Sequence, residues 1–238
     1  MRLDAAAVAT FYGSPLGEAA QRMLARRVAA AWPDVTGLDV LGYGYAGPLL
    51  GGLTGGPRRI VNAFPAAQGA VVWPDEGLSA CVLTEDERLP FMDAVFDRAI
   101  LVHALEEAQR PQHLLREVWR VMAPEGRLIV IAANRLSPWA LSDATPFGQG
   151  RPYSRRQLSA LLADALFEPV ATARAVYTPP WNNRFFLKSA EALEAVGERL
   201  WPPLGGLMLM EAVKRLEARP GRPARRVVRA EAGLGARA

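Results

Sequence analysis

The sequence predicts a doubly wound α/β fold, in which a mostly parallel sheet carries helices on both faces. Apolar runs of strand length alternate with segments of helical period, and short turns join them. The run 127–133 is continuously apolar, as is typical of a parallel strand buried on both faces. With 238 residues, 50% of them hydrophobic, the chain can bury one sizeable core. We therefore predict a single domain over 1–218, followed by a separate tail over 219–238.

Each element follows from a local pattern. An N-terminal helix begins behind Ser14-Pro15 and ends before Pro33, because Ser caps a helix and Pro suits its first position. A later helix opens at Pro111, and another begins at the capping box of Ser154 with Gln157. Apolar runs bounded by Gly or Pro predict strands at the run into Gly42, 59–64, 70–73, 78–83, 94–102, 127–133 and 170–177.

Two segments near 136–153 and 179–203 are rich in Pro, Trp, Asn and Arg, and we interpret them as insertions. In a doubly wound sheet they would cover the carboxyl ends of the strands, where ligands bind. Their aromatic residues suit a lid over an apolar or planar substrate, and an extra core packed on the sheet is an equally good interpretation. These residues are Trp139, Phe147, Tyr153, Trp181, Phe185, Phe186 and Trp201.

The net charge of +4 comes from the tail. Residues 219–238 contain six Arg and one Glu, a charge of +5, so residues 1–218 sum to −1. With Pro and Gly among the arginines, the tail cannot build a core, and we expect it to be disordered. Clustered Arg could contact RNA phosphates, although a solvated chain end is the simpler interpretation.

Other classes of protein are disfavoured by composition. Cys81 is the only cysteine, which excludes an intramolecular disulfide and a thiolate metal cluster, and we predict no metal site. The apolar runs are too short for a membrane span or a secretory leader. We therefore expect a soluble, cytoplasmic protein.

A glycine-rich turn is the strongest candidate for a ligand site. The stretch 38–47 is an apolar run that ends in glycines, and Gly-x-Gly lets the main chain bend close to a ligand, although ordinary strand-to-helix turns share the pattern. An acidic turn at 85–91 and the motifs 95–106 and 114–128 follow. In their order and spacing, these segments resemble class I S-adenosylmethionine-dependent methyltransferases of the small-domain group called type 11.

The resemblance implies the Rossmann-like class I methyltransferase fold and S-adenosylmethionine as cofactor. The glycine loop would pass under the methionine part, Glu85 would accept from the adenine amino group, and the Asp86 main chain would meet the ring. His103 would lie beside the sulfonium and is a weak candidate for a catalytic base, with Tyr153 and Asn134 as orienting groups. The cofactor-binding residues predicted in this way are Gly42, Tyr43, Gly44, Gly47, Asn62, Glu85, Asp86 and His103.

Two departures from the family pattern leave an alternative open. Val40 stands where the family has an acidic residue before the first glycine, with Asp39 shifted by one. No Asp or Glu lies between Pro48 and Pro74, although the second strand of the family ends in an acid that binds the ribose hydroxyls. Asn62 can substitute as a neutral acceptor, so we expect weaker cofactor binding. The alternative is a non-catalytic methyltransferase-like protein that binds or regulates a partner.

The methyl acceptor is not specified by the sequence. The strand near His103 continues as Ala104-Leu105, without the Asn-Pro-Pro-Tyr-like signature of enzymes that methylate amino groups of nucleic acids. A small-molecule or lipid acceptor is therefore favoured slightly.

Overall fold

The computed structural model describes residues 2–74 and 76–216. Its strands form one seven-stranded sheet in the order β3-β2-β1-β4-β5-β7-β6. Strands β1 to β5 run parallel, whereas β7 is antiparallel to both β5 and β6. The strands are β1 (Asp39–Gly44), β2 (Arg59–Pro65), β3 (Cys81–Thr84), β4 (Phe96–Val102), β5 (Met122–Ala133), β6 (Phe167–Ala175) and β7 (Leu207–Lys214). The predicted fold class is confirmed.

Seven α-helices accompany the sheet in the described residues. The predicted caps are present: the Ser14 side chain accepts from Gly17 N–H, and Ser154 with Gln157 forms a complete capping box. The helices are α1 (Ala5–Tyr12), α2 (Pro15–Ala31), α3 (Gly47–Leu50), α4 (Pro111–Val121), α5 (Arg155–Asp164), α6 (Arg184–Lys188) and α7 (Ala190–Leu200).

Two apolar cores lie on the two faces of the sheet. Side chains of a strand alternate between its faces, so Leu41 of β1 joins the core under α4 and α5, while Val40 joins the core under α2. A smaller cluster lies at the carboxyl end of the sheet and includes Val8 and Tyr12 of α1 with Tyr45 and Phe64. Helix α1 therefore packs on the edge where α/β folds bind ligands.

The half of the sheet that contains the glycine turn differs from the expectations in three ways. The predicted strand at 70–73 is wrong, because these residues lie in an irregular β2–β3 connection in which no helix is described. Helix α3 has only four residues, since Gly51 and Gly52 follow it directly. Strand β5 begins at Met122, earlier than the predicted 127, and near its start the β4–β5 register shifts and Glu125 has a φ of 60°.

Other expectations fall outside what the structure tests or describes. The single domain over 1–218 remains a prediction. The tail 219–238, with its proposed disorder and RNA contact, lies outside the described residues. In the described part of the chain, no helix is long and apolar enough to cross a membrane.

Candidate functional site

The glycine turn at the end of β1 makes close contacts within the protein. Gly44 has a φ of 78°, and a Cβ there would overlap the carbonyl oxygen of Val102 at the end of β4. Gly42 faces the opposite neighbour, and a Cβ there would lie 2.6 Å from Oδ1 of Asn62. Both glycines are therefore required by packing within the protein, because a side chain at either position would overlap neighbouring atoms.

Asn62 is the most unusual polar residue of this region. It lies in β2 opposite Gly42, is 0% exposed, and neither its amide oxygen nor its amide nitrogen has a hydrogen-bond partner. A buried, unsatisfied amide costs about 1–3 kcal/mol, so such groups commonly mark a place where a ligand or water binds. The side chain matches the sequence prediction of a neutral acceptor in β2.

A cavity of about 540 Å³ opens beside Asn62, within the range of small-molecule sites. Gly47 and Pro48 at the start of α3 form one wall, and Trp73 from the β2–β3 connection lies against Gly47, 2.8 Å from where its Cβ would be. Because α3 is short and the connection is irregular, this face of the sheet is left partly uncovered. The cavity thus contains two of the predicted cofactor residues, Gly47 and Asn62.

Helix α1 covers the neighbouring part of the edge. Its Tyr12 stacks on Tyr45 at a centroid distance of 5.2 Å, and the Tyr12 hydroxyl lies 3.1 Å from Nε2 of His103. At its start, Arg2 forms an ion pair with Asp86, and the N–H of Leu3 donates to the Glu107 carboxylate. The helix is therefore anchored at both ends to the loops that follow β3 and β4.

His103 is consequently not open to an acceptor in this arrangement. It is 2% exposed, has a φ of 51°, and its ring lies 4.2 Å from that of Phe147 between centroids. Burial lowers the pKa of His103 from 6.5 to about 3, so the imidazole is neutral at pH 7. A neutral imidazole can accept a proton, but here Tyr12 occupies one of its nitrogens.

The acidic turn after β3 is divided between two environments. Glu85 is exposed, so its carboxylate is accessible to the amino group of a ligand. Asp86 accepts a 2.6 Å hydrogen bond from Tyr43 in addition to its ion pair with Arg2. Burial and the neighbouring Asp86 charge raise the pKa of the Tyr43 phenol, which keeps it a donor.

Glu106 is a candidate that the sequence interpretation missed. It follows β4, is 5% exposed, and neither carboxylate oxygen has a partner. Burial raises the pKa of Glu106 from 4.5 to about 7. Gln68 and Thr84, after β2 and at the end of β3, also have unpartnered polar atoms. Together with Asn62, these residues place unsatisfied polar groups along β2, along β3 and after β4. The sequence signal that could have identified Glu106 is its position among apolar residues.

Other predicted participants have structural partners. The Asn134 amide donates to the carbonyls of Pro203 and Gly205, which disfavours its predicted orienting role. Tyr153 donates to the Leu105 carbonyl, and burial raises its pKa to about 12. Asp39 begins β1, at the end far from the glycine turn, and pairs with Arg58 and Arg59 there.

The aromatic residues of the insertions divide into two groups. Trp139 and Phe147 are 1% exposed and belong to the core, as the packing interpretation predicts. Trp181, Phe185 and Trp201 are more than half exposed. Among the described residues, no group of His, Cys, Asp or Glu is arranged to hold a metal ion.

Comparisons with known proteins bear on the family and the fold of the chain. Residues 65–130 match the family model described as a methyltransferase domain, a segment that begins after the glycine turn. An uncharacterised protein of Mycobacterium tuberculosis (strain ATCC 25618 / H37Rv) is 29% identical over 201 residues, covering 79% of this chain and 66% of its own length. The chain therefore spans about two thirds of that relative.

Two solved structures share the fold. An S-adenosylmethionine-dependent methyltransferase of Thermotoga maritima superposes with a TM-score of 0.61 at 17% identity, covering 84% of this chain and 91% of its own. The [4+2]-cyclase SpnF superposes with a TM-score of 0.54 at 20% identity, covering 83% and 81%. The matched segment and the shared fold confirm the resemblance of this chain to the class I S-adenosylmethionine-dependent methyltransferases, and they imply S-adenosylmethionine as its cofactor.

Proposed function

We propose that the protein is an S-adenosylmethionine-dependent methyltransferase whose cofactor binds in the cavity between Asn62 and Gly47. The proposal depends mainly on the unpartnered, fully buried amide of Asn62 beside Gly42. An amide presents both a donor and an acceptor, which suits the hydroxyls of a ribose. The residues present therefore fit the cofactor, although with a neutral group where the family has a charged one.

The neighbouring residues would have distinct roles. A side chain at Gly42 would collide with the Asn62 amide, and one at Gly47, which lines the cavity, would collide with Trp73, so both glycines keep these residues in place. The exposed Glu85 can accept from an amino group. When bound, S-adenosylmethionine supplies a methyl group already activated by its sulfonium. The protein then has to align a nucleophile and exclude water, so a general base is not essential.

Helix α1 would have to move for His103 to take part, because Tyr12 covers it. The ion pair with Arg2 engages the Asp86 carboxylate, not the main chain predicted to meet the adenine ring. Eight residues cannot form a stable helix alone, so α1 depends on these contacts and can be displaced without unfolding the sheet. We infer that α1 opens when cofactor and acceptor bind.

We further propose a small-molecule or lipid acceptor. The segments 136–153 and 179–203 leave several large apolar side chains exposed near the carboxyl end of the sheet, including Leu136 and Trp201, and Leu204 directly follows the second segment. Exposed apolar clusters of this kind favour apolar ligands.

The second candidate is a non-catalytic relative that binds a ligand or partner. It is supported by the end of β2, where the family has an acidic residue but this chain has the buried Phe64. The Phe64 ring is 1% exposed and lies 6.3 Å from the Tyr45 ring between centroids. None of the described residues that line the cavity carries a carboxylate, so cofactor binding loses its charged acceptor. The name of the cyclase that shares the fold also shows that the fold alone does not fix the reaction.

Calorimetric titration with S-adenosylmethionine and S-adenosylhomocysteine tests the proposal. Asn62→Leu should lower the affinity about tenfold, because it removes one or two hydrogen bonds to the ligand. Gln68→Leu is the matched control, since it also replaces a buried, unpartnered amide but does not line the cavity. Absence of binding heat up to millimolar ligand would refute cofactor binding and favour the second candidate. An equal loss of affinity in both variants would show that the ligand binds elsewhere in the protein.

A further inference from the structure

We propose that an apolar recess between the two insertions binds a neutral, apolar small molecule that carries one hydroxyl or carbonyl group. The recess has a volume of about 400 Å³ and is formed by Leu136 and Trp139 of the first insertion, Thr178 after β6, and Val196, Trp201 and Leu204 in or after α7. This volume suits a small-molecule ligand. Calling that ligand the methyl acceptor rests on the proposed function, but its binding does not.

The recess exposes more apolar surface than a core would. Leu136 is 68% exposed, Trp201 56% and Leu204 51%, and all three line the same concavity. Scattered exposed apolar residues are ordinary in proteins, but several around one hollow indicate a binding surface. A concave, partly enclosed surface suits a small molecule better than the flat face of a protein partner.

The wall formed by residues 176–178 is held in a strained conformation. Val176 has a φ of 65°, which is rare for a β-branched residue and costs about 1–3 kcal/mol. The buried Glu194 carboxylate of α7 maintains it by accepting the N–H groups of Val176 and Tyr177 at 3.2 and 2.9 Å. The recess is therefore preorganised by a hydrogen-bonded support, as binding sites commonly are.

One polar group of this wall lacks a partner. The Thr178 carbonyl accepts from Nε1 of Trp139 at 2.7 Å, but the Thr178 hydroxyl has no hydrogen bond although the residue is 1% exposed. The Tyr177 hydroxyl is satisfied by the Pro202 carbonyl, and none of the described residues that line the recess is charged. The ligand must therefore be neutral, with one polar group that pairs with Thr178.

The recess also lies close to the carboxyl edge of the sheet. The Trp139 ring contacts that of Phe147 at 6.0 Å between centroids, and Phe147 lies against His103. Two aromatic rings thus separate the recess from the residues under α1.

Two probes that differ by a hydroxyl test the inference in the absence of S-adenosylmethionine. Calorimetry of the full chain should show binding of 4-butylphenol and, more weakly, of butylbenzene. Thr178→Val keeps the shape of the side chain and should weaken 4-butylphenol binding about tenfold while leaving butylbenzene unchanged. An equal effect on both probes would overturn the role of the hydroxyl.

A charge placed in the recess provides the second test. Val196→Glu should abolish binding of both probes, because Val196 lines the recess. Leu200→Glu is the control, since Leu200 lies on the same helix and is 61% exposed but does not line the recess. Binding that survives Val196→Glu, or no binding by the wild-type chain, would refute the site. Because these titrations contain no cofactor, their failure is distinct from a failure of the proposed function.

Discussion

Glu106 should impose a pH dependence on the stability of the fold. Its carboxylate is buried without a partner, so its pKa rises from 4.5 to about 7 on folding. Between these two values the folded state holds a proton that the unfolded state has released, and stability falls as pH rises. At about 1.4 kcal/mol per pKa unit, the loss reaches roughly 3 kcal/mol at and above pH 7.

Glu106→Gln should remove this loss. The variant and the wild type should be equally stable below pH 4.5. Between pH 4.5 and 7, the free energy of unfolding of the variant should exceed that of the wild type by about 1.4 kcal/mol more for each pH unit. His103 acts in the opposite sense, because its lowered pKa makes stability fall as pH drops below 6.5. In the wild type the two effects oppose each other between pH 4.5 and 6.5, and the variant should reveal the His103 slope alone.

Urea denaturation at half-unit steps from pH 4 to 8.5 measures both curves. Glu107→Gln is the comparison variant: burial also raises the pKa of Glu107, but its carboxylate accepts the Leu3 N–H, so its replacement should change the pH dependence of stability less. A pH-independent difference between wild type and Glu106→Gln would refute the buried, unpartnered state of Glu106. A variant less stable at pH 8 would show that the charge has a partner and contributes to folding.

Three further substitutions test the edge of the sheet. Gly44→Ala places a Cβ against the Val102 carbonyl at a positive φ, so we expect a loss of at least about 2 kcal/mol in urea denaturation, and a neutral effect would contradict the packing of the turn. Tyr12→Phe removes the hydroxyl that lies beside His103 and should cost about 1 kcal/mol at pH 7, with unchanged stability showing that this bond is absent in solution. Asn62→Asp should lower the free energy of unfolding without ligand by about 1–3 kcal/mol, but the variant should bind S-adenosylmethionine about tenfold more tightly. Weaker binding by this variant would argue against ribose recognition at Asn62.

Most of the sheet was predictable because its signals are local, although strand β7 was not predicted. The apolar run of β5 and the capping box at Ser154 depend on neighbouring residues, and both are found where the sequence places them, although β5 begins earlier, at Met122. The strand expected at 70–73 failed because strand formation requires a pairing neighbour, which the local pattern of Val71 to Trp73 does not reveal.

The site was predictable only in part, because its arrangement depends on long-range contacts. The sequence indicates that Gly44 is special, but not that the Val102 carbonyl, rather than a ligand, occupies the space beside it. Helix α1 was not predicted, since its helical state depends on docking through Arg2 and Tyr12. The isolation of Glu106 likewise arises from tertiary burial.

A crystal structure of the chain with S-adenosylhomocysteine would test the proposed cofactor site most directly. We expect the ligand in the cavity beside Gly47, with the Asn62 amide hydrogen-bonded to a ribose hydroxyl. We also expect α1 to have shifted and the ion pair between Arg2 and Asp86 to be broken. The assignment would be contradicted by crystals grown at saturating ligand in which the Asn62 amide has no ligand contact and α1 stays in place.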